Sequence, residues 1–173
     1  PLEAWGTWVS PDNRLLAIGT SSDRSEVDDC LLWDLVEGRE LARLTGISAQ
    51  FSADSQTLFT IERYGHNNRV RSFDVSATTL ANPPAGWETG RVVYRGGPGE
   101  AVNTGVLASD GRTLVIAATD AVIFLDTLGE QPPRTWGKSA HVVGLSHDGR
   151  WITTMLHNHL PVIWSTADGR AVF

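Results

Sequence analysis

The side chains best suited to chemistry in this chain are its histidines. His157-Asn158-His159 forms a His-x-His pair, and His66 and His141 add two more imidazoles. Neutral imidazole is a common metal ligand. No cysteine or carboxylate stands at a recognised ligand spacing from them, so the sequence predicts loop histidines, and neither a metal nor a cofactor is assigned. Asp23, Arg24, Glu26, Asp28 and Asp29 make a charged segment. It lacks the central Gly and terminal Glu of a calcium-binding loop, and reads as a solvated loop or a contact for a basic partner. Gly96-Gly97-Pro98-Gly99 has the glycines of a phosphate loop without its Gly-Lys-Ser/Thr ending, and reads as a linker. Ser10, Ser52, Ser109 and Ser146 recur in similar turns, and no Gly-x-Ser-x-Gly elbow is present. The residues therefore point to a non-catalytic chain.

Composition narrows the partners. The chain has 173 residues, enough for one domain with a real core, with 41% hydrophobic and 20% charged residues. Its formal charge is −6 and its arginines are scattered, so neither nucleic acid nor an anionic membrane is expected as a partner. The one cysteine, Cys30, lies in an apolar run and reads as a buried thiol. No apolar run approaches the roughly 20 residues that span a bilayer. PLEAWGTWVSP lacks the basic start and apolar stretch of a signal peptide, and a cytoplasmic setting is expected. The start without Met reads as a piece of a longer protein.

The elements that must position these side chains form a repeat. SPDNRLL at 10, SADSQTL at 52, ASDGRTL at 108 and SHDGRWI at 146 share a turn in which Asp12, Asp54, Asp110 and Asp148 fall 42, 56 and 38 residues apart. A second landmark follows each turn: Trp33, Phe73, Leu125 and Trp164, spaced 40, 52 and 39. Asp and Gly favour tight turns, and the flanking β-branched and aromatic runs read as strands. The expected units are 3–46, 47–97, 98–138 and 139–173, each of four strands. The predicted strands are 5–9, 15–20, 30–35 and 40–44; 47–51, 57–62, 70–75 and 91–95; 102–108, 113–119, 121–126 and 133–136; and 141–146, 151–156, 161–165 and 170–173. Helix is expected to be nearly absent.

With Trp33-Asp34 closing a third strand after Ser10-Pro11-Asp12-Asn13, the chain resembles the WD-repeat β-propeller family over its whole length. The resemblance implies an all-β fold: a β-propeller with four blades of four antiparallel strands, part of a ring of about seven or eight. The Gly-His pair that opens a family repeat is missing in all four units. The family's hydrogen-bonded tetrad would need Trp164, Thr154, His141 and an Asp at position 158, which is Asn. A half-ring leaves two sheet faces open. A longer chain, a dimeric ring or closure of the four blades alone would each cover them.

The resemblance implies a non-catalytic protein-interaction scaffold or sensor, bound to another protein or to other domains of its own chain. Contacts are then expected where the repeat is broken: Asp23, Arg24, Glu26, Asp28 and Asp29 in the first unit, Tyr64, His66, Asn68 and Arg69 in the second, and His157 and His159 in the fourth. Trp87, in the long loop 76–90, is the candidate aromatic anchor. The alternatives are a ligand- or metal-binding face built from the histidines, and an enzyme with a central-channel site, for which only His141 is available.

Overall fold

The computed structural model describes residues 3–21, 29–62, 68–97, 100–156 and 158–172. The chain divides into two compact units, Pro1–Gly97 and Pro98–Phe173. The division falls at the boundary expected between the second and third repeats.

Each unit holds two antiparallel sheets made of consecutive strands. In the first unit, sheet 1 is β1 (Glu3–Val9), β2 (Leu15–Ser21), β3 (Asp29–Asp34) and β4 (Arg39–Thr45). Sheet 2 is β5 (Ser48–Phe51), β6 (Thr57–Glu62), β7 (Arg69–Asp74) and β8 (Arg91–Arg95). In the second unit, sheet 3 is β9 (Val102–Leu107), β10 (Thr113–Ala118), β11 (Val122–Asp126) and β12 (Arg134–Trp136). Sheet 4 is β13 (Val142–Leu145), β14 (Trp151–Met155) and β15 (Val162–Ser165). The protein is mostly β.

The register is the same in all four sheets. Leu16 pairs with Trp33, Leu58 with Phe73, Leu114 with Leu125 and Ile152 with Trp164. The turn before each second strand enforces it. The Ser10 hydroxyl donates to Asp12 at 2.6 Å and accepts from the Leu15 amide at 2.9 Å. Ser52–Asp54–Thr57 and Ser146–Asp148–Trp151 repeat this arrangement. The fourth turn residue takes positive φ each time: Asn13, Ser55, Gly111 and Gly149. In sheet 3 the position of Ser10 is held by Ala108, so Ser109 is not the repeat serine. Asp110 instead accepts from the Thr113 amide and hydroxyl, and the Ser109 hydroxyl donates to the His147 carbonyl of the next turn.

Strand alternation gives each sheet two faces. The front carries the Leu16–Trp33 position and the back carries the Leu15, Ala17 and Leu32 positions. In the first unit, the back of sheet 1 (Leu15, Ala17, Cys30, Leu32, Leu44) packs on the front of sheet 2 (Ala49, Leu58, Phe73, Val75). In the second unit, the back of sheet 3 (Val115, Ala117, Val122, Phe124) packs on the front of sheet 4 (Val143, Ile152, with Leu145 and Trp164). Close approach in the first unit demands Gly19, since a Cβ there would lie 1.9 Å from the Ile47 carbonyl oxygen.

Two expectations are corrected. Among the described residues, the strand expected at 170–173 is a single bridge between Trp164 and Ala171 after the Gly169 turn; sheet 4 has three described strands. The loop 76–90 contains a short helix, α1 (Ala77–Ala81), with Ser76 as its N-cap, and a 3-10 turn at Trp87–Thr89. Serine favours this cap because its hydroxyl accepts from an otherwise unpartnered amide, here that of Thr79.

Candidate functional site

The aspartates that looked most chemical belong to turns. Asp34 accepts from the amides of Glu37 and Val36 at 2.9 and 2.8 Å. Asp74 accepts from Ser76, and Asp126 from Leu128, Glu130 and Gln131. These bonds stabilise the carboxylate form and hold Asp34 and Asp74 below the usual range. For Asp126 the Arg112 guanidinium is the larger cause. Asp148 is pushed down to about 2 by the Ser146 hydroxyl, then by the Arg150 amide and guanidinium. Such groups are poor acids and bases near neutral pH. Burial raises the Cys30 thiol to about 12, leaving it protonated and inert.

Asp23, Arg24, Glu26, Asp28, Tyr64, His66 and His157 lie outside the described residues. Asp29 and Arg69 occupy one repeat position, the first residue of the third strand. Asp29 faces Thr20, whose hydroxyl donates to the Asp29 carbonyl. In the strand ladder Arg69 stands opposite Glu62 and Arg95, and the Asn68 carbonyl accepts from the Gly96 amide. Trp87 sits at the opposite end of sheet 2. It is half-buried, donates its indole N–H to the Asp74 carbonyl at 2.7 Å and meets Phe73 edge-on at 6.4 Å. It closes the insertion onto its own sheet. Nearby, Arg71 pairs with Glu62 and donates to the Thr89 carbonyl at 2.7 Å, tying the same insertion down.

His159 lies in the second unit, where it lines a depression of about 680 Å³ together with Lys138, Ser139, Asn158, Leu160 and Trp164. The connection before β13 supplies Lys138 and Ser139, and the β14–β15 loop supplies Asn158, His159 and Leu160. Asn158 adopts φ 61°, which turns the short loop. The Trp164 indole donates to the Thr154 hydroxyl at 2.8 Å, fixing the ring. The Lys138 ammonium stands 4.5 Å from the ring centroid, a cation–π contact. Leu160 is 85% exposed at the rim. The site thus offers a held positive charge beside an exposed apolar side chain. Lys138 is the only lysine in the chain, and its place over Trp164 was not legible because 26 residues separate the two.

Among the described residues, no group of three His, Cys, Asp or Glu could hold a metal ion, and no helix is long and apolar enough to cross a membrane. No family model matches the chain. No curated protein matches it in sequence. Among solved structures it is similar to a chain of Kuenenia stuttgartiensis hydrazine synthase, with TM-score 0.69 and 16% identity over 96% of this chain. The match spans 47% of that chain, about half its length. At this identity the likeness concerns the fold alone.

Proposed function

We propose that the chain is a four-repeat section of a WD-type β-propeller that serves as a non-catalytic protein-interaction module. Four sheets in one register, three of them with the same Ser–Asp turn, support the propeller reading. The repeated polar residues are engaged in turns, which leaves binding to what does not repeat.

The observation that carries the binding role is the depression at Lys138, Trp164 and His159. A cation held on an aromatic ring beside the exposed Leu160 suits a protein segment with a carboxylate near an apolar side chain. Such a segment belongs to a separate protein or to another domain of the same polypeptide. The same charge favours a small carboxylate or phosphate ligand as the second reading.

Amine-directed cross-linking tests the first reading, because Lys138 is the sole lysine. The expected result is partner peptides joined to Lys138, with partner capture lost in Lys138→Glu. Capture unchanged in Lys138→Glu contradicts it.

A further inference from the structure

On sheets 1 and 4 the cations of the outer segment are neutralised by their own neighbours. Arg39 and Arg43 in β4 pair with Glu37 and Glu40, and Arg170 after β15 pairs with Asp168. The second unit departs from this around β12. Among the described residues, Arg134 and Lys138 contact aromatic rings and pair with no carboxylate. In a chain of formal charge −6, two neighbouring cations without an acid are a local exception.

Both cations are held in place. The Arg134 guanidinium stands 5.0 Å from the Phe124 ring centroid, and the two residues are partners in the ladder between β11 and β12. Lys138 lies over Trp164, whose ring Thr154 fixes. Trp136 stands between the two cations in sequence. It meets Phe124 edge-on at 4.8 Å and packs on the core of the second unit. Side chains alternate along a strand, so Arg134 and Trp136 share one face of β12. Arg134 lines a depression of about 370 Å³ with Phe124, Gln131 and Pro132. The Arg112 guanidinium in the same depression is already paired with Asp126 and Glu130. A cation resting on a ring needs little further ordering to meet an anion.

β12 is also the edge of sheet 3, with β11 on one side of it. Arg134 and Thr135 are exposed. The free edge of a sheet presents backbone groups to one more strand. A strand added there draws affinity from those groups and specificity from its alternate side chains.

We propose that this edge takes an extended segment of a partner protein in which two acidic residues flank an apolar one, added as a strand beside β12. The proposal rests on the interaction reading of the Lys138 depression and adds a second contact to it. Residues opposite one another on neighbouring strands bring their side chains within contact. One acid then meets Arg134, the apolar residue meets Trp136 and the other acid meets Lys138. Because side chains alternate, the three stand at every second position of the segment. The Lys138 amide donates to the Trp136 carbonyl at 2.7 Å, so the chain bends at Gly137 and carries Lys138 towards Trp164. The acid that meets Lys138 therefore sits at the end of the added strand.

Selection of random peptides displayed on phage against the 173-residue chain tests this. The expected result is enrichment of sequences with acid, apolar and acid at alternate positions. Arg134→Glu and Lys138→Glu should each weaken a selected peptide about tenfold, the worth of one charge-assisted hydrogen bond. Both residues are exposed, so both variants should keep the wild-type circular dichroism; Arg134→Gln replaces Arg134→Glu if reversal of charge disturbs β12. A peptide with Lys in place of one acid should bind Arg134→Glu better than it binds wild type. Enriched peptides without the paired acids, or binding indifferent to Arg134, overturn the proposal; if such peptides still need Lys138, the interaction reading stands without it. No enrichment also overturns the proposal and leaves cross-linking at Lys138 to judge the interaction reading.

Discussion

The backs of sheet 1 and sheet 4 hold the same repeat positions and meet different surroundings. On sheet 1, Leu15, Ala17 and Leu32 are buried against the next sheet, while on sheet 4 Trp151 is 40% and Met155 42% exposed. The register and the Ser–Asp turns are the same, so neither explains the difference. The front of sheet 2 covers the back of sheet 1, and no sheet of the second unit covers the back of sheet 4 among the described residues. The repeat therefore specifies each sheet locally, while its burial is specified by its neighbour, as in other stacked repeats.

The largest break in this comparison is expected from core truncation. Leu32→Ala removes a fully buried side chain and should cost about 2–5 kcal/mol in urea unfolding. Ile163→Ala, at the same position in sheet 4, should cost far less. Equal losses would show that the two back faces are covered alike. Next comes Gly19→Ala, whose Cβ meets the Ile47 carbonyl; overpacking of this kind costs about 1–3 kcal/mol. Met155→Ala, at the equivalent position on sheet 4, should be nearly neutral by the same assay.

The two tryptophans sharpen the comparison from the front faces. Trp164 donates to Thr154, but the position of Thr154 in sheet 1 is Ile18, and the buried Trp33 indole N–H has no hydrogen-bond partner among the described residues. Thr154→Val should cost about 1–3 kcal/mol by leaving a second indole unpaired. Ile18→Thr should raise the urea midpoint of the chain by giving Trp33 an acceptor, a gain of about 1 kcal/mol. If Ile18→Thr lowers it, apolar contact at that position outweighs the hydrogen bond.

The smallest effect is the acid response. The turn aspartates titrate lower in the folded chain than in the unfolded one, so the unfolded state takes up protons first as pH falls. Their stabilisation is present above about pH 4 and lost below it, with Asp148 protonating last, near 2. A pH series of thermal melts should show a decline that begins below about pH 4. Ser146→Ala should lose less stability on acidification than wild type, since the Ser146 hydroxyl is the first cause holding Asp148 below its unfolded value.

Most of the strand pattern was legible because two landmarks carried it independently, and because turn chemistry is local. Asp12, Asp54, Asp110 and Asp148 each direct their own amides whatever lies beyond the turn. The repeat implies a fourth strand beside Val162–Ser165, and after the Gly169 turn the described residues form only the Trp164–Ala171 bridge. The Trp87 indole bond to the Asp74 carbonyl is not legible in the sequence because 13 residues separate the two. The Lys138–Trp164 contact and the contrast between the two backs depend on which sheet covers which, and a sequence read one repeat at a time does not reveal that.

Hydrogen exchange tests the stacking account most directly. The account predicts that β3 amides, behind a covered back face, exchange slowly. It predicts that Ile163–Ser165 amides in β15, which is half-buried throughout, exchange faster than those of β3. Equal protection of β3 and β15 would contradict it.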